Sequence, residues 1–176
     1  MNTDIESLRY PVGKFSAPAV ISQNEVAGYI HTLEALPALV VEIWKQLPVE
    51  KRTVPYREGG WNAKQLIHHL ADSHMNAFIR IKLALTEDHP TIKPYQEALW
   101  AELPDYSKTD PEVSILLLTA LHERMVVLLK NLSAVDLDRT YFHPESNKKF
   151  SIRTVTALYA WHSKHHLAHL ELILNQ

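Results

Sequence analysis

The stretch "GGWNAKQLIHHLADSH", Gly59 to His74, opens a helix and loads it with histidine. Asn62 is a natural helix cap, and Gln65, three positions on, can reach back to it in a capping box. Beyond this start Leu66, Leu70, Ala77, Ile81 and Leu85 recur along one side, which is the signature of an amphipathic helix. "TEDHPTIKP", with two prolines, ends the run. His69 falls on the apolar side with Leu66, Leu70, Ser73 and Ala77, whereas His68 is rotated from it by about 100°. The spacing therefore predicts that His69 points inward. His74, a turn further on, is expected behind an inward site or on the surface.

A second stretch, "WHSKHHLAHL" from Trp161 to Leu170, carries four more histidines, so the two stretches hold seven of the eleven in the chain. Residues four apart stack on one helix face. Val155, Tyr159, His162, His166, Leu170 and Ile173 keep the spacing of a core stripe, while Trp161, His165, Ala168 and Leu172 lie about a third of a turn away. His162 and His166 are thus the expected inward pair, with His169 near the edge. Two imidazoles one turn apart can bind one divalent cation, each nitrogen about 2.0–2.1 Å from a zinc ion. His69 is the candidate third ligand. A single inward histidine is more often a hydrogen-bonded core residue than a ligand. Three uncoordinated rings buried together would cost desolvation without evident partners, which favours a metal.

The rest of the chain reads as further helices. "SQNE" offers a second capping box at Ser22 and Glu25, followed by Val26, Ile30, Leu33, Leu36, Val40, Ile43 and Leu47 at helical spacing. Pro37 should kink this helix rather than end it, because the pattern resumes. Asp110 and Pro111 fit the cap and first position of another helix, striped by Ile115, Leu118, Leu121, Met125, Leu128 and Leu132. Residues 95–109 read as a loop with a short helix near Gln96 to Ala101. "RTYFHPESNKKFS" reads as a small β-hairpin, and a last helix runs from Ser151 or Thr154 to the end. These elements predict an all-α fold over residues 1–176 as a single domain: a four-helix bundle with a long connection between helices two and three and a hairpin before helix four.

Composition narrows the chemistry. With 176 residues, a net charge of −2 and no large basic tract, the chain is a poor nucleic-acid partner. It contains no cysteine, so disulfides, thiolate zinc sites and a cysteine nucleophile are excluded. The acidic, polar start does not resemble a signal peptide, and no stretch reads as a membrane span, so a cytoplasmic protein is expected. HExxH, Glu-x-x-His, G-x-S-x-G and phosphate-cradling glycine loops are missing. Three neutral histidines leave coordination positions open, as in catalytic metal sites. A zinc ion so held lowers the pKa of bound water to about 7 or holds an incoming thiol as thiolate. The catalytic group beyond metal-bound water is unassigned, with Asp72, Glu58 and His74 as candidates. For Asp72 a supporting hydrogen bond or a plain surface charge is the simpler role. Trp61, Trp100, Tyr159 and Trp161 are expected in the core or in a pocket wall.

"YPVGKF", "PYREGGWNAKQLIHHLADSHMNAFIRIKLALTED", "IKPY" and "YAWHSKHHLAHL" together resemble the DinB superfamily of four-helix bundles, in its YfiT-like branch of metal-dependent hydrolases. The resemblance runs from about Tyr10 to the end of the chain. It implies metal ligands at His69, His162 and His166, the same residues that the helical register favours. That branch often has another histidine where Lys164 stands, a position that does not match a ligand. The resemblance further implies one divalent metal per subunit, zinc or nickel, a small-molecule substrate and a cytoplasmic homodimer. Related bundles are thiol S-transferases that use low-molecular-weight thiols such as bacillithiol or mycothiol, so thiol transfer is the alternative to hydrolysis. A non-catalytic metal- or ligand-binding helical dimer is the second alternative.

Overall fold

A computed structural model describes residues 5–176; the first four residues, which belong to the polar start, lie outside it. The helices in chain order are α1 (Ile5–Arg9), α2 (Gln23–Gln46), α3 (Ala63–Thr86), α4 (Glu97–Trp100), α5 (Pro104–Lys108), α6 (Pro111–Lys130), α7 (Ala134–Leu137) and α8 (Ile152–Leu174). A hairpin of β1 (Thr140–His143) and β2 (Lys148–Ser151) precedes α8. Four helices of 20 to 24 residues make the bundle, as expected.

Both capping boxes are present. Asn62 Oδ1 accepts the Gln65 N–H at 3.0 Å, and Gln65 Oε1 accepts the Asn62 N–H at 3.2 Å. Ser22 and Glu25 repeat the exchange at the start of α2. Asp110 stands at the cap of α6, but its side chain makes no capping bond; Pro111 at the first position, having no N–H to satisfy, starts the helix. α2 continues through Pro37. α5 and α7 were not evident from hydrophobic periodicity, because helices of four or five residues show too little of a repeat.

The wiring departs from a simple up-and-down bundle. α2 packs on α6 and α8, and α3 packs on the same two helices, so the consecutive helices α2 and α3 are diagonal. His69 meets His162 and Ser73 meets Tyr159, so α3 and α8 run antiparallel. His68 meets Ser114 and His74 meets His122, so α3 and α6 run parallel. A parallel neighbour must start again from the same end, which is why the connection from 87 to 110 is long. That connection is pinned to the hairpin, where Ile92 N–H donates to the Phe142 carbonyl and Phe142 N–H to that of Pro90.

The sequence showed no stretch suited to crossing a bilayer, yet α2 is long and apolar enough by length and composition. In the fold its apolar stripe of Val26, Ile30, Leu33, Leu36 and Val40 is buried in the bundle. The bundle interior falls into two apolar clusters, one around Leu33, Ala77, Met125 and Val155, the other around Leu36, Leu70, Leu118 and Leu170. Buried His69, His74, His122 and His166 occupy the level between them.

Replacing Asn62 by Ala removes one side of the α3 capping box and should lower stability by about 1 kcal/mol. A urea midpoint equal to that of the parent chain would show that this cap does not hold the helix start.

Candidate metal centre

Ligand nitrogens of His69 from α3 and of His162 and His166 from α8 all lie within 4.8 Å of one another. His69 Nε2 stands 3.1 Å from His162 Nε2, and the His162 and His166 ring centroids are 4.4 Å apart. Two nitrogens at zinc-bond distance from one ion at a tetrahedral angle would stand about 3.3 Å apart. Two bare imidazole nitrogens cannot hold 3.1 Å unless a proton or a cation lies between them. The donor set and its spacing therefore fit a divalent cation.

Other rings crowd around these three. His74, fully buried, places Nε2 3.2 Å from His162 Nδ1 and Nδ1 2.9 Å from His122 Nε2. His122 Nδ1 lies 2.6 Å from the Leu33 carbonyl. On the other flank His169 Nδ1 is 3.3 Å from His166 Nδ1, and its Nε2 is 3.3 Å from the Arg9 carbonyl. His169 also stacks on Tyr56. His165, His166 and His169, all buried, form a second group with nitrogens within 4.8 Å of one another. Among the described residues, His69 Nδ1 and His165 Nδ1 are buried without a hydrogen-bond partner.

The three converging rings line a cavity of about 530 Å³. Trp61 and Trp161 form walls, Arg9 and Arg57 add positive charge, and Glu97 is the one acidic side chain among the described lining residues. Trp61 packs on His69 with ring centroids 4.6 Å apart, and Trp161 stacks on His165 at 4.5 Å.

Burial governs the electrostatics. Desolvation, helped by neighbouring imidazoles, pulls His69 down to about 3. The same causes hold His74, His162 and His166 well below the ordinary imidazole value. His165 and His169 fall to about 4, chiefly through burial. These rings are neutral at pH 7, the state a metal ligand requires. Glu97 is exposed at the cavity rim, and partial desolvation by the surrounding chain raises its carboxyl above the usual range.

The structure brings together His69, His162 and His166 as the register predicted. Other placements refine the sequence reading, and Asp72 takes the simpler hydrogen-bonding role expected for it. His165 was placed off the core face, but it is buried because Trp161 and Tyr10 cover it. His68, rotated from the site as expected, is nonetheless buried against α6, where Nδ1 meets Ser114 Oγ at 2.7 Å. Asp72 does not line the cavity; it accepts the Tyr106 hydroxyl at 2.8 Å. Glu58 is likewise outside the lining, and the carboxylate that reaches it is Glu97. His74 stands behind His162 rather than on the surface. His122 was missed. Its place between Leu118 and Met125 on the α6 stripe was the available signal.

The fold and the site define a helical bundle of the histidine-lined, metal-binding type. The chain belongs to the DinB superfamily, whose sequence profile matches residues 32–170. A protein of Bacillus mycoides, provisionally named a metal-dependent hydrolase, is 45% identical over 166 residues, covering 94% of this chain and 95% of its own. A Bacillus cereus relative with the same provisional name shows the same identity and coverage. YfiT from Bacillus subtilis, described as a probable metal-dependent hydrolase with an unusual four-helix bundle topology, superposes with a TM-score of 0.92. It is 40% identical, and 95% of each chain is covered.

The neutral rings predict acid lability in the metal-free protein. In the unfolded chain each titrates near 6.5, above its folded value, so unfolding takes up protons below that pH. Stability is therefore complete above about pH 6.5 and falls toward about pH 3, by up to ~1.4 kcal/mol per pH unit per ring. Melting temperatures at pH 7 and pH 5 should differ clearly; equal values would mean that these rings are not held neutral.

Proposed function

We propose that the chain is a metal-dependent hydrolase with a single divalent cation held by His69, His162 and His166. The observation that carries this is the convergence of three nitrogens from two helices within 4.8 Å, at the wall of a cavity large enough for a small molecule. The relatives' names support the same reading. Imidazole donors suit zinc, nickel, copper and iron alike; zinc is the ion proposed, with nickel as its alternative. Bound there, the cation supplies Lewis acidity and makes water a nucleophile at neutral pH.

The remaining work falls to the chain itself. His69, His162 and His166 present neutral nitrogens from two rigid helices. Trp61 and Trp161 shape the apolar walls and limit water around the substrate. Arg9 and Arg57 favour a substrate carrying negative charge or developing it during reaction. Glu97, with its raised pKa, can take or return a proton at the cavity wall. A cytoplasmic homodimer belongs to the same proposal, and α6 exposes Val113, Leu116, Leu117 and Val127 along one face that a second copy would cover.

Protein purified without a histidine tag should carry about one zinc or nickel ion per chain, by elemental analysis. His162→Ala should lose that ion, whereas His165→Ala should keep it. The reverse order would move the metal to the group of His165, His166 and His169, and no metal in either protein would end the hydrolase reading. Hydrolysis of model esters and amides should proceed without added thiol; conjugation that occurs only with a thiol would mean transfer instead.

A further inference from the structure

We propose that both ligand rings on α8 are locked in one tautomer by histidine relays that end on backbone carbonyls. One relay runs from the Leu33 carbonyl through His122 and His74 to His162, and the other from the Arg9 carbonyl through His169 to His166. His74, His122 and His169 are then positioning residues. The inference rests on the metal-centre reading for its purpose, but its proton positions follow from hydrogen bonds alone.

A carbonyl oxygen only accepts, so at 2.6 Å His122 Nδ1 carries the proton. The Leu33 carbonyl is open to it because the residue four positions on, which would donate within the helix, is Pro37 and has no N–H. A neutral imidazole has one N–H, so His122 Nε2 is bare and accepts from His74 Nδ1 at 2.9 Å. His74 Nε2 is then bare and accepts from His162 Nδ1 at 3.2 Å. That leaves the lone pair of His162 on Nε2, the atom that faces His69 at 3.1 Å. A proline on α2 thereby decides which nitrogen α8 offers.

The second relay obeys the same logic. Near the end of α1, Tyr10 N–H goes to Glu6 and Gly13 N–H to Tyr10, so Arg9 presents a carbonyl beyond the helical bonds. His169 Nε2 donates to it at 3.3 Å. His169 Nδ1 is then the acceptor for His166 Nδ1–H at 3.3 Å, which frees His166 Nε2. The proton between His166 and His169 also excludes an ion held by both of their Nδ1 atoms. Among the described residues His69 has no partner at Nδ1. In the metal-free protein its Nε2–H donates to the bare His162 Nε2 at 3.1 Å, so it alone of the three ligands must change tautomer to offer Nε2 to a cation. Hydrogen bonds of this kind orient ligand rings and raise their basicity, and losing one commonly costs about 10–100-fold in metal affinity.

The test is two-bond nitrogen–proton NMR on the metal-free protein at neutral pH. His162, His166, His74 and His122 should show the Nδ1–H form and His169 the Nε2–H form. His162 or His166 in the Nε2–H form would overturn the relays, and this spectrum needs no variant to fold. His122→Phe, which touches no ligand, should bind zinc about 10–100-fold more weakly and show His162 as a tautomer mixture, with melting temperature reported alongside. His122→Gln, whose amide can donate to Leu33 and accept from His74, should recover much of both. Phe and Gln variants that behave alike, or a Phe variant with unchanged zinc affinity, would overturn the positioning role. Parent protein that binds no zinc would defeat the metal reading, while the tautomer spectrum would still decide the relays.

Discussion

Imidazole nitrogen buried in an apolar core is destabilising unless something answers it, whether a proton donor, an acceptor or a cation. This bundle places a layer of such rings between its two apolar clusters, with His69, His74, His122 and His166 all buried. Most of their nitrogens find one another or a backbone carbonyl. The layer holds together because the four long helices converge on it at once: α2 gives a carbonyl, α6 a ring, and α3 and α8 the remaining rings, with a further carbonyl from the short α1. Loss of bundle packing would expose the network to water, and the convergent nitrogens would separate.

Local features of the chain acquire a use in this setting. Pro37 first looks like a defect in a long helix, tolerated because the apolar stripe continues beyond it. Its missing N–H leaves the Leu33 carbonyl unpaired within α2, and His122 takes the place of the lost bond at 2.6 Å. The short α1 contributes a carbonyl at Arg9 in the same manner. Two interruptions of regular helical bonding thus become the fixed ends of the histidine network. The diagonal placement of α2 and α3 matters as well, since it lets α6 stand between them and carry His122 to His74.

How much of this was legible can be argued residue by residue. The capping boxes at Ser22 and Asn62, the hairpin before α8 and the passage of α2 through Pro37 follow from local rules, and the structure shows each. Helical phase placed His69, His162 and His166 inward, because position on a 3.6-residue repeat is a property of the sequence alone. The same phase misjudged His165. Burial there depends on Trp161 and on Tyr10, a residue far away in the chain. Asp72 sits close to His69 in sequence yet turns to Tyr106 on α5, in the connection packed against α3.

From the chain itself came four helices, their caps, and three histidines facing a common interior, since each depends on neighbours within a few turns. Tertiary structure alone decided that His122 would join them, that Glu97 rather than Asp72 would reach the cavity, and that consecutive helices would lie diagonally. The reason is physical. Hydrogen bonds between rings 48 or 88 residues apart depend on how helices are wired and pressed together, and no local periodicity encodes that arrangement.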